Sequence, residues 1–69
     1  MVLMTDRAPA KLMIVDDSPY NRRLIEELFR NRTDVVVVAS AADGEEALRL
    51  ATATEPDVIT LDQIGRAHV

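Results

Sequence analysis

Two apolar runs end in carboxylates: Lys11-Leu12-Met13-Ile14-Val15 leads into Asp16-Asp17, and Val58-Ile59-Thr60-Leu61 leads into Asp62. If the runs are neighbouring parallel strands, Asp16, Asp17 and Asp62 converge at one edge of a sheet, where an open α/β sheet places its ligands. Unit charges ~4 Å apart repel by about 4 kcal/mol at an effective dielectric of 20, so three anions there require a cation or protons. Oxygen-only donors suit a hard, octahedral ion, which selects Mg²⁺ or Mn²⁺ over zinc. An ionised aspartate is also a nucleophile for phosphoryl transfer that needs no general base, and the ion screens it from the phosphoryl oxygens. The expected site therefore takes a divalent cation and a phosphoryl group.

The elements that must position these acids can be read from the pattern around them. Leu12 to Val15 is continuously apolar, as in a parallel strand covered on both faces. Ser18-Pro19 then opens a helix, Ser as N-cap and Pro at the first helical position, and the helix directs its positive end at the acid-bearing edge. Tyr20, Leu24, Ile25, Leu28 and Phe29 form an apolar stripe expected to pack into the core, while Arg22 and Arg23 lie on the polar face beside it. The helix should fade near Asn31 to Thr33. Val35 to Ala39 reads as a second strand, and Asp43 with Glu46 resembles a capping box that starts a helix with Ala47, Leu48, Leu50 and Ala51 on its apolar face. Pro56 stops that helix, and Asp57 to Asp62 supplies the third strand. The order β-α-β-α-β predicts an α/β fold with parallel strands and right-handed crossovers, which brings the strand C-termini to one edge.

Size and charge exclude several function classes. The 69 residues, 48% hydrophobic and 29% charged, allow one domain or part of one. A net charge of −4 argues against a nucleic-acid or anionic-membrane surface. The absence of cysteine rules out disulfides and thiolate metal sites and fits a cytoplasmic protein. No apolar stretch approaches the ~20 residues needed to span a bilayer. Residues 1–10 lack any period and read as a flexible leader.

Taken together, Lys11-Leu12-Met13-Ile14-Val15-Asp16-Asp17-Ser18, Ala42-Asp43-Gly44-Glu45-Glu46-Ala47 and Pro56-Asp57-Val58-Ile59-Thr60-Leu61-Asp62 resemble the first half of a two-component response-regulator receiver domain. The resemblance runs from Lys11 to Asp62, so residues 11–62 are expected to be a partial receiver with an incomplete flavodoxin-like, doubly wound parallel sheet. It implies that Asp62 accepts a phosphoryl group from a sensor histidine kinase or phosphotransfer domain. It further implies that Asp17 binds Mg²⁺ directly, that Asp16 does so directly or through water, and that Asp62 completes the metal set. Arg22 and Arg23 are the candidates for docking the kinase. The run Asp57 to Asp62 also resembles receivers attached to chemotaxis protein-glutamate methylesterases, so the parent could carry an enzymatic domain although this segment is not itself an enzyme.

Beyond Asp62 the family pattern would continue through Met-Pro and a Gly-containing loop, but the chain reads Gln63-Ile64-Gly65-Arg66-Ala67-His68-Val69. Back-translated as AG ATC GGA AGA GCA CAC GTC TGA, this tail matches a widely used short-read sequencing adapter. Residues 63–69 are therefore expected to be non-native. The family's later Ser or Thr and Lys have no counterpart, and its backbone-carbonyl metal contact would fall on Ile64. Strand three is then expected to be a bare apolar edge, and the chain alone to be inactive and weakly cooperative in unfolding. Two other readings remain: a pseudo-receiver that binds partners without being phosphorylated, and an aspartyl-nucleophile phosphatase. The second normally separates its two aspartates by one residue, whereas Asp16 and Asp17 are adjacent.

Overall fold

The computed structural model describes residues 8–61. Most of the expected leader, the whole tail over 63–69, and Asp62 itself lie outside the described residues. The elements are β1 (Ala10–Val15), α1 (Pro19–Phe29), β2 (Val35–Ala41), α2 (Gly44–Thr54) and β3 (Val58–Leu61). The three strands are parallel and ordered β2-β1-β3, so β1 is central. The chain steps from β1 to β2 in one direction and from β2 across β1 to β3 in the other. With right-handed crossovers, α1 and α2 therefore cover opposite faces. This is the α/β, doubly wound partial sheet expected from the sequence.

Central placement explains the burial of β1. Leu12, Met13, Ile14 and Val15 are all buried, and side chains alternate between the two faces along a strand. Met13, Val15 and Ala41 form the core on one face, with Ala39 of β2 and Ala47, Leu50 and Ala51 of α2 packed against them. Ala47, Leu50 and Ala51 recur at three- and four-residue spacing, the inward line of α2. Leu48 sits 100° off that line and is 73% exposed, so it does not join the apolar face as expected. The same geometry corrects α1. Ile25 and Phe29 are half-buried, whereas Tyr20, Leu24 and Leu28 form a separate i, i+4, i+8 row on the exposed flank, with Leu28 at 73%.

Strand limits differ from the sequence expectation where hydrogen bonds intervene. β1 begins at Ala10, inside the expected leader, because its N–H donates to the Asp34 carbonyl at 2.9 Å. β2 runs on to Ala41, two residues further than expected. Leu12 pairs with Val37 but Met13 pairs with Ala39, so Val38 is the extra residue of a bulge and pairing resumes through Ser40 and Ala41. Asp57 is a bend before β3 rather than its first residue. Its N–H donates to the Lys11 carbonyl at 2.8 Å, and its Oδ2 accepts from the Lys11 N–H at 2.8 Å.

The ends of the helices are set by side chains. Ser18 caps α1, accepting from the Asn21 N–H, and Asp43 caps α2, accepting from the Glu46 N–H at 2.8 Å. Glu46 Oε1 in turn accepts from the Ala42 N–H, one residue earlier than in the usual reciprocal capping box. α2 ends on Glu55 at φ 50°, ψ 61°, a left-handed conformation that disfavours any residue with a Cβ. Glu55→Gly should therefore stabilise the fold by about 1 kcal/mol, seen as a higher denaturation midpoint.

Between α1 and β2, Arg32 grips Asp34 through two bonds of 2.9 and 2.6 Å. The Arg32 hydrogen bond holds the Asp34 carboxyl below its ordinary value of 3.8. A carboxyl with a lowered folded-state pKa contributes stability above its unfolded value and loses it as the pH falls through the folded one. Both side chains are exposed, so the effect is small. Asp34→Asn should flatten the decline of the denaturation midpoint on acidification below about pH 4 and leave the neutral-pH slope unchanged.

Candidate functional site

Asp16 is the first residue past the end of β1, yet it remains as buried as the strand, at 2% exposure. Its N–H donates to the Ala41 carbonyl at 3.1 Å, which ties the ends of β1 and β2 together. Its Oδ1 accepts from the Ser18 N–H at 2.9 Å, closing the turn that admits α1. Its carbonyl accepts from Arg22 Nη1 at 2.6 Å. One polar atom is left: Oδ2 is buried and has no hydrogen-bond partner among the described residues. An unsatisfied buried carboxylate oxygen costs free energy that a neighbouring cation would offset.

Asp17 follows as an exposed residue at the mouth of the site. A cleft of about 300 Å³ is lined by Val15, Asp16, Asp17, Ala42, Asp43, Gly44 and Leu61. It lies where β1, β2 and β3 all end, because Val15 is in register with Ala41 on one side and Leu61 on the other. Both helices start beside it, Ser18 capping α1 and Asp43 capping α2, so two positive helix ends face the same edge. Among the described residues, no group of three or more His, Cys, Asp or Glu is gathered as a metal site. The described part of the expected donor set is Asp16 and Asp17. The third member, Asp62, lies outside the described residues, one position past the cleft-lining Leu61.

The residues present fit a hard divalent cation. The donors are carboxylate oxygens, one of them buried and unsatisfied, and the cleft is open enough to leave room for water ligands. Thr60 Oγ1 is also buried without a partner among the described residues, but it stands opposite Ile14, away from the cleft.

Two residues of the site were not assigned to it from sequence. Arg22, expected on a kinase-docking face with Arg23, instead turns back onto the Asp16 carbonyl. The signal was its position one turn into a helix whose cap lies two residues after Asp16. The capping pattern marks Asp43 as a helix start; it performs that role and also lines the cleft.

Sequence comparisons bear on this arrangement. Residues 12–64 match the response regulator receiver domain model. The chain is 41% identical over 59 residues to protein-glutamate methylesterase/protein-glutamine glutaminase 1 of Myxococcus xanthus, covering 86% of the chain and 17% of that protein. It is 44% identical over 52 residues to the protein-glutamate methylesterase/protein-glutamine glutaminase of Methanococcus maripaludis, covering 75% of the chain and 14% of that protein. The chain thus spans less than a fifth of the length of these curated relatives. No solved structure matches it.

The cap that seats α1 against the site can be tested alone. Ser18→Ala should cost about 1 kcal/mol by leaving the Asn21 N–H without its partner, and Ser18→Asn should retain most of that stability, read from denaturation midpoints.

Proposed function

The chain belongs to the response regulator receiver domain family, and on that premise we propose that the intact protein carrying this segment takes a phosphoryl group on Asp62 in a reaction that depends on Mg²⁺ or Mn²⁺. The observation that carries this reading is the buried, unpartnered Oδ2 of Asp16 in a cleft it shares with Asp17 and Leu61. Asp16 and Asp17, with Asp62, would hold the ion. When bound, the ion supplies positive charge that screens the nucleophile from the incoming phosphoryl oxygens.

The chain's own residues do the rest. An Asp62 carboxylate oxygen attacks phosphorus in line with the leaving group, forming an acyl phosphate. The P–N bond to a kinase or phosphotransfer histidine breaks, and the imidazole keeps the electron pair and takes a proton. Asp16, fixed by three hydrogen bonds, keeps its open oxygen aimed without reorganisation during the step. The N-termini of α1 and α2 add favourable partial charge for the phosphoryl oxygens.

Residues 11–62 carry this receiver segment. In the intact protein the receiver would regulate a protein-glutamate methylesterase domain, the activity named for the relatives. The histidine donor would come from a sensor kinase of a chemotaxis system. No described helix is long and apolar enough to cross a membrane.

Exposure of the intact protein to a small phosphodonor with Mg²⁺ tests the proposal by intact mass. The intact protein should gain one phosphoryl group, lose that gain on Asp62→Asn, and lose it again when the ion is chelated. Undiminished labelling of the Asp62→Asn protein would contradict the assignment.

A further inference from the structure

Arg22 places a permanent positive charge against the backbone of an acidic site that, on the reading above, must bind a cation. By charge alone this is unfavourable, since a guanidinium near the carboxylates competes with the ion they attract. The geometry accounts for its presence in another way. Arg22 Nη1 donates a short 2.6 Å bond, not to a carboxylate, but to the Asp16 main-chain carbonyl. Its own N–H donates to the Ser18 carbonyl at 3.0 Å, so Arg22 belongs rigidly to the first turn of α1.

That carbonyl is the one main-chain group of Asp16 that neither the sheet nor the turn satisfies. The Asp16 N–H is held by Ala41 of β2, and Oδ1 is held by the Ser18 N–H. The carbonyl leaves the sheet at the peptide joining Asp16 to Asp17, so a donor fixed there sets the orientation of that peptide and the direction in which Asp17 departs. Arg22 is half-buried, whereas its neighbour Arg23 is exposed. A guanidinium suits this role because a charge-assisted bond to a carbonyl is stronger than a neutral one.

We infer that Arg22 is a positioning residue: it clamps the Asp16–Asp17 peptide and so holds the acid pair in the geometry that receives the divalent cation. This rests on reading Asp16 and Asp17 as cation ligands. Groups that orient metal ligands from outside the ligand set commonly cost 10–100-fold in affinity when removed. The clamp and simple charge predict opposite signs. Loss of a positive charge alone would tighten cation binding, whereas loss of a clamp weakens it.

Titration calorimetry with Mg²⁺ on the chain, alongside amide hydrogen exchange at Ser18 without the ion, separates these outcomes. Arg22→Ala should weaken Mg²⁺ binding by about tenfold and speed exchange of the Ser18 amide, which is bonded to Asp16 Oδ1. Arg22→Lys, which keeps a charged donor, should recover most of the affinity. Arg23→Ala, with the same change in charge, should bind Mg²⁺ no more weakly than the parent. If Arg22→Ala loses its helical circular dichroism, Arg22→Met retains the apolar stem and takes its place. Binding by Arg22→Ala as tight as or tighter than the parent, with unchanged Ser18 exchange, overturns the clamp. A parent chain that binds no Mg²⁺ sinks the cation reading, and the Ser18 exchange rates then decide the clamp: faster in Arg22→Ala supports it, unchanged overturns it.

Discussion

The burial of β1 between two parallel neighbours is the constraint on which the rest of this structure depends. Leu12 to Val15 have no solvent face, and the chain carries that burial one residue further than apolar chemistry would, into Asp16. A carboxylate in such a position must be compensated atom by atom. β2 takes its N–H, the turn into α1 takes Oδ1, and Arg22 takes its carbonyl. Oδ2 remains, at the edge where both helices present their N-termini. The site is a consequence of the topology: a central strand whose last buried residue is an acid leaves one oxygen without a partner among the described residues.

Much of this was legible in the sequence because the signals were local and strong. The continuous apolar run of β1 announced a strand covered on both faces, Ser18-Pro19 and Asp43 with Glu46 announced the helix starts, and Pro56 announced an end; the structure has each of these. The strand order β2-β1-β3 is that of a flavodoxin-like, doubly wound sheet, the kind that the family resemblance implies. Convergence of Asp16 and Asp17 with the end of β3 follows from parallel pairing, which alternation of strands and helices already required.

The rest depended on geometry that a residue pattern does not carry. A stripe of five apolar residues on α1 gave no means of separating Ile25 and Phe29, which face the sheet, from Tyr20, Leu24 and Leu28, which lie one step around the helix. The extension of β2 to Ala41 needed a bulge at Val38, which depends on strand register. Asp57 looked like strand because it precedes an apolar run, but its carboxylate is engaged by the Lys11 backbone. Arg22 looked like solvent-facing charge, since nothing in its neighbours Asn21 and Arg23 shows that its guanidinium turns back to a carbonyl six positions earlier.

Val58, Ile59 and Leu61 of β3 are all exposed, Leu61 at 67%, with Val58 on one face and Ile59 and Leu61 on the other. Among the described residues no strand pairs with the outer edge of β3, and a strand of this composition with an open edge is poorly matched to water. Leu61 ends beside the cleft, where binding of a divalent cation would satisfy Asp16 Oδ2. Anomalous diffraction from crystals of the Mn²⁺-loaded protein tests it most directly. A manganese peak is expected in the cleft, reached by Asp17 and by Asp16 Oδ2 directly or through one water. Full density for both carboxylates with no peak between them, or an Oδ2 satisfied by a protein donor, would contradict it.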